Sequence, residues 1–150
     1  MAGLSSLPIA PGLFRRLGAI LYDGLLLLAL WLVATALLLA VSGGQLANPD
    51  RPLWLLYALR GSLLLVTFMF FAWFWTHGGQ TLPMKTWRIR LISANGAYPT
   101  LRQSVIRYIV ALLGICAAGI GLFWALWDSE HQFLHDRIAG TRLVESQSQN

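Results

Sequence analysis

Three apolar runs, each long enough to cross a bilayer, constrain this chain more than anything else in it. A helix needs about 20 predominantly apolar residues to traverse the hydrocarbon core. Leu17 to Val41, Leu53 to Trp75 and Val105 to Trp127 each supply that length. Peptide groups in hydrocarbon meet no water, so runs of this kind must pair their N–H and C=O groups internally, as helices. Composition agrees: 57% of the 150 residues are apolar and 11% charged, whereas soluble domains carry about 25% charged residues. The expectation is an all-α integral membrane protein, a single domain over residues 1–150 with three transmembrane helices. Trp54, Trp73, Trp75, Tyr108, Trp124 and Trp127 fall where interfacial aromatic belts belong. Arg15 and Arg16 do not head a cleavable leader on this reading, because the run after them is about twice the usual ~7–15 residues and contains Asp23.

The distribution of cations sets the expected orientation. Arg15 and Arg16 precede the first run, and the loop "SGGQLANPDRP" carries Arg51 beside Asp50. The loop between the second and third runs carries Lys85, Arg88, Arg90 and Arg102, with Arg107 at its edge and no acid. An N-terminus and second loop on the cytoplasmic side of a bacterial-type inner membrane follow. Lys85, Arg88, Arg90 and Arg102 are expected to meet anionic lipid headgroups, at about 1 kcal/mol for each cation near the surface. Nucleic acid is not an expected partner. A strict count of three crossings puts the tail from Asp128 outside. A helix break at Gly119 and Gly121 would instead return it to the cytoplasm. Within the basic loop, "TWRIRLISANGAYP" alternates apolar and basic residues up to Asn95-Gly96, a hairpin turn signal. A short β-hairpin on the headgroups and a disordered basic loop both fit that pattern.

Asp23 is the sharpest feature within the runs. A carboxylate near the middle of a membrane helix costs ~2.5–3.5 kcal/mol on insertion scales, and such residues usually face the bundle interior, pair with a cation or line an ion path. Arg16 lies seven residues earlier, on the same stripe but beyond the i, i+3 or i+4 neighbour spacing. Arg107, opening the third run, is the first expected partner of Asp23, and Arg60, in the second run, the next. A register-fixing ion pair, an ion or proton site and a contact with a partner protein all remain open.

In order along the chain, "RRLGAILYD" holds Arg16, Ala19 and Asp23, and "GGQTLPMK" holds Gly79, Gln80 and Thr81. "WRIRLISANGAYP" leads to Arg107, and "HDRIAGTRLV" holds His135, Asp136, Gly140 and Thr141. This ordered set, spanning Arg15 to Val144, resembles the RDD-domain membrane proteins, a family named for one arginine and two aspartates. The resemblance implies a membrane domain over nearly the whole chain and a role in transport, with cation/proton exchange reported for some members. Pro83 stands where members often carry Gly, and "WDSEHQ" where they often carry basic residues, which favours an outer tail.

Enzymatic chemistry finds no foothold. Ser62 and Ser104 have no neighbouring His–Asp arrangement, and Cys116 sits in an apolar stretch. "GICAAGIG" lacks the strand-then-helix setting of a nucleotide loop. His131 and His135 stand at i, i+4, but a zinc site wants more ligands, so no metal or cofactor is expected; Asp136 reads as a cap on a short element ended by Gly140 and Thr141. Gly114, Ala117, Ala118 and Gly121 give small-residue spacing that suits close helix packing. Two functions remain: a small transport-related protein built around Arg16, Asp23, Arg60, Arg107 and Asp136, or a non-enzymatic scaffold that binds a larger membrane complex. A homo-oligomer or a membrane-protein partner is expected under either.

Overall fold

The first two apolar runs fold as long unbroken helices, and Asp23 does not interrupt the first. The computed structural model describes residues 10–117 and 133–146. Helix α1 is Leu13–Val41 and α2 is Leu53–Thr76. Among the described residues these two are long and apolar enough to cross a membrane; at 1.5 Å per residue, the shorter still spans roughly 36 Å. Gly43 and Gly44, both at positive φ, turn the chain after α1, and a 3-10 turn at Gln45–Ala47 leads to Pro52 at the start of α2.

Helix α1 buries a narrow polar stripe and exposes most of its apolar residues. On α1 the buried residues are Arg16, Ala19 and Asp23, one stripe at helical spacing, while Leu21, Leu25, Leu28, Leu32 and Leu37 face outward. A helix in water shows the reverse. One side-chain hydrogen bond ties α1 to α2, and another ties the start of the third apolar run to α2. The Trp31 indole N–H donates to Thr67 Oγ1 at 2.9 Å, and the Tyr108 hydroxyl donates to the Leu64 carbonyl at 3.0 Å.

Beyond α2 the chain builds a compact cap from short elements: α3 (Leu82–Thr86), β1 (Ile89–Ser93), α4 (Leu101–Cys116, which leads back into the third apolar run), α5 (Leu134–Ala139) and β2 (Thr141–Glu145). Thr81 N-caps α3 by accepting from the Met84 N–H. Thr100 and Gln103 form a reciprocal capping box at the start of α4. Gly140 ends α5 in the left-handed conformation, so the chain turns directly into β2.

The hairpin expected at Asn95-Gly96 does not form. A tight turn is present, with the Gly96 N–H on the Ser93 carbonyl and the Ser93 N–H on the Ala97 carbonyl. Pro99 and the capping box then commit the next residues to α4, leaving too few for a returning strand. β1 instead pairs antiparallel with β2, from Ile89 opposite Glu145 to Ser93 opposite Thr141. Its other edge is closed by the "GGQT" stretch: the Leu91 N–H donates to the Gly79 carbonyl at 2.7 Å, and Gln80 Nε2 donates to the Ile89 carbonyl at 2.8 Å.

This pairing also corrects the outer tail. Residues 133–146 pack on the second loop and on the first turn of α1, where Arg15 forms an ion pair with Glu145 at 2.8 Å. The N-terminal end of α1, the basic loop and the tail therefore share one end of the molecule. The remainder of the third apolar run, with Ala118, Gly119, Gly121 and His131, lies outside the described residues. The hydrophobic core sits where cap and helices meet: Ala19, Trp75, Met84, Ile89, Leu91, Phe133 and Leu143.

Gly79 gives this arrangement a test. Its φ is +69°, and a Cβ there would stand 2.2 Å from the Leu91 carbonyl oxygen. Gly79→Ala should destabilise the protein in detergent by about 1–3 kcal/mol, the scale of a non-glycine residue held in that region. Gly61→Ala, in open space inside α2, should be neutral or stabilising by up to ~1 kcal/mol.

Candidate functional site

Two arginines and two aspartates from distant parts of the chain are buried under the cap: Arg16, Asp23, Arg107 and Asp136. Each is held by a different local device. Arg16 and Asp23 face inward because they share the stripe of α1 that carries Ala19. Arg107 lies two turns into α4, past its capping box. Asp136 is in the first turn of α5, with its backbone N–H on the Phe133 carbonyl at 3.0 Å.

The expected pairing of Asp23 with Arg107 is not the one made. Arg107 Nη1 forms its ion pair with Asp136 Oδ1. The same nitrogen donates to Thr141 Oγ1 at 3.2 Å, and the guanidinium carbon stands 4.8 Å from the centroid of the Trp75 ring. Thr141 in turn donates to the Asp136 carbonyl at 3.4 Å. The sheet explains the choice: pairing Ser93 with Thr141 brings α5 onto α4, and Asp136 arrives beside Arg107 on the intervening turn. Asp136 therefore does not act as a helix cap; Phe133 occupies the N-cap position and the carboxylate is committed to Arg107.

Asp23 has a neutral partner. Its Oδ2 accepts from the Thr81 hydroxyl at 3.0 Å, and its Oδ1 has no hydrogen-bond partner among the described residues. Thr81 is completely buried and bridges two elements, since its oxygen also accepts from Met84 as the N-cap of α3. Arg60, the second expected partner, is exposed on α2 and makes no ion pair among the described residues. Arg16 donates from Nε to the Pro11 carbonyl at 2.9 Å, and its guanidinium carbon lies 5.7 Å from the Phe133 ring centroid.

The remaining motif residues surround this cluster as supports. Gly79 and Gln80 hold the edge of β1, and Gln80 Oε1 accepts from Arg90 at 3.4 Å. Gln103 Nε2 joins the two halves of the cap by donating to Ser93 Oγ at 2.8 Å and to the Gly140 carbonyl at 3.2 Å. His135 stacks on Phe133, with Nε2 4.0 Å from Asp136. Burial, reinforced by the charge of Arg107, holds its imidazole well below the usual pKa and keeps it neutral. No three His, Cys, Asp or Glu side chains among the described residues are placed to share a metal ion.

Thr81 and Trp75 touch the buried charges and Gln103 joins the two halves of the cap, contacts that the sequence reading did not give them. Thr81 was visible as part of the motif but not as the partner of Asp23. The signal that could have found the Arg107–Asp136 pair is the two-residue alternation of "TRLVE", which matches that of "IRLIS" and marks the tail as a strand.

Two outcomes follow from this geometry. Asp136→Asn or Arg107→Gln should each cost ~3–5 kcal/mol by leaving a buried charge uncompensated, and the double variant should recover part of that loss. Asp23→Asn combined with Arg107→Gln should show additive effects instead, as for residues without a shared partner; detergent unfolding of the full cycle measures both. For His135, the unfolded chain takes up a proton near pH 6.5 while the folded chain resists it. Stability present above that pH should be lost as pH falls below it. His135→Asn should flatten the fall in unfolding temperature between pH 7 and 5.

A curated relative, "Uncharacterized protein RP437" of Rickettsia prowazekii (strain Madrid E), is 36% identical over 84 residues, a stretch that covers 55% of this chain. The match covers 46% of the relative, so the chain accounts for less than half of that protein's length. No solved structure matches. The RDD family matches residues 10–140, the stretch that holds both aspartates, both buried arginines and the "GGQT" turn, and the chain belongs to that family.

Proposed function

We propose that this chain is a non-enzymatic, multi-pass protein of a cell membrane that takes part in moving a cation or proton, with Asp23 as the exchanging group. The observation that carries the reading is the unequal treatment of the two aspartates. Asp136 is neutralised by Arg107 and works as a fastening. Asp23 is buried in an apolar helix, with one neutral hydrogen bond and no cation partner among the described residues. A buried carboxylate without a counter-cation tends to bind a proton or a cation, because the bare charge is costly there. The outward apolar faces of α1 and α2 favour membrane embedding. All Lys and Arg except Arg51 and Arg60 lie on the cap or its adjoining helix turns, so the positive-inside tendency favours a cytoplasmic cap.

The scaffold reading draws on the same cap. Lys85, Arg88 and Arg102 are exposed, and with Arg90 they offer a basic surface to anionic headgroups or to a larger membrane complex. A scaffold, however, has no use for an acid left without a cation, and among the described residues Asp23 is such an acid.

The two readings separate in proteoliposomes carrying a pH-sensitive dye. Asp23→Asn preserves an acceptor for Thr81 and should leave the unfolding temperature unchanged or higher while abolishing cation-driven proton flux. Flux that survives in Asp23→Asn would remove the transport reading and leave the scaffold. Topology reporters at Gly96 and after Glu145 should both give a cytoplasmic signal, with an outer one between α1 and α2. Opposite signals at Gly96 and after Glu145 would contradict the shared sheet.

A further inference from the structure

On the outer side of the Asp23–Thr81 bond, α1 and α3 do not close on one another. A groove of about 460 Å³ runs between them, within the ~300–1,000 Å³ of ordinary ligand pockets. Tyr22, Leu25 and Leu26 form one wall, and Leu82, Pro83 and Thr86 the other, with Trp87 at the end. The lining is mainly apolar, and the Thr86 hydroxyl is turned back onto the Leu82 carbonyl at 3.4 Å. Tyr22, Leu25, Leu82 and Thr86 are exposed, so the groove opens sideways from the molecule.

Its surroundings have a definite charge. Lys85 and Arg88, in and just after α3, are exposed and make no ion pair among the described residues. Among the described residues the acids of this end are already occupied: Asp136 by Arg107, Glu145 by Arg15, and Asp23 on the buried side of α1 by Thr81. Lys85 and Arg88 adjoin the lining residues Thr86 and Trp87 in sequence, so an apolar slot is flanked by cations that no described acid neutralises, which complements a molecule with a hydrocarbon chain and an anionic head. We propose that this groove is a lipid site, holding an acyl chain of an anionic phospholipid whose phosphate is met by Lys85 and Arg88. The inference rests on α1 lying in a membrane, where the mouth of the groove faces hydrocarbon and an apolar chain fills it in place of water. The bound chain braces α3 against α1 and so keeps Thr81 on Asp23.

Native mass spectrometry after reconstitution with equimolar phosphatidylglycerol and phosphatidylcholine tests the site. Wild type should retain one lipid per chain, with phosphatidylglycerol enriched about thirtyfold, the factor expected from two cations near a headgroup. Lys85→Gln with Arg88→Gln, both at exposed positions, should bring the ratio to about one. Leu26→Trp should fill the groove and lose the retained lipid, while Arg51→Gln, at the far end of the molecule, should change nothing. Equal retention of the two lipids by wild type, or enrichment that survives loss of both cations, would overturn the site. So would a dimer dissociated by Leu26→Trp, which would assign the groove to a second copy. Extraction by alkaline carbonate without detergent would instead sink the membrane reading beneath it; a carbonate-resistant chain with no lipid preference sinks the lipid site alone.

Discussion

The pair between Arg107 and Asp136 is the constraint on which the rest of the structure depends. Two charges removed from water are costly, and their attraction repays that cost only when geometry and further hydrogen bonds are good. Here Thr141 accepts from Arg107, Trp75 offers its ring face, and Arg107 is reached from two elements at once. Those requirements can be met only if α5 lies on α4 and β2 on β1. The ion pair thus selects one docking of the tail among the many that apolar packing alone would tolerate.

Asp23 obeys the opposite logic. Its acceptor is filled by a hydroxyl, which is nearly indifferent to whether the carboxyl carries a proton, whereas a guanidinium demands that it does not. Thr81 also caps α3, and α3 leads directly to β1. A change at Asp23 is therefore linked through a single oxygen atom to the placement of the strand that anchors the tail. The two acids differ in kind, one fixing the assembly and the other left chemically adjustable inside it.

Much of this was legible in the residues. The long helices followed from run length, and the inward stripe of α1 from the seven-residue spacing of Arg16 and Asp23. Of the five charges expected to form a network, Arg16, Asp23, Arg107 and Asp136 are buried and Arg60 is exposed. What failed was every statement that needed a long-range contact. The partner of Arg107 depends on a strand pairing between residues 89–93 and 141–145, and neither segment is long enough to announce that pairing. Asn95-Gly96 gave a true turn signal, yet Pro99 and the capping box took the following residues for a helix. The tail was placed by counting crossings, and one short sheet outweighed the count.

The closed edges of β1 carry a consequence for the order in which this protein is assembled. One edge is taken by Gly79 and Gln80, close in sequence, and the other by residues 141–145. During synthesis the first edge is satisfied as soon as the loop emerges, while the second stays open until the tail has been made. Arg107 waits equally long for its carboxylate. The nascent protein thus passes through a stage with an unpaired strand and an unneutralised guanidinium, and the segment 133–146 resolves both at once when it is made. Quality control that reads exposed strands or stray buried charge would see an interrupted chain as unfinished, however well its long helices had formed.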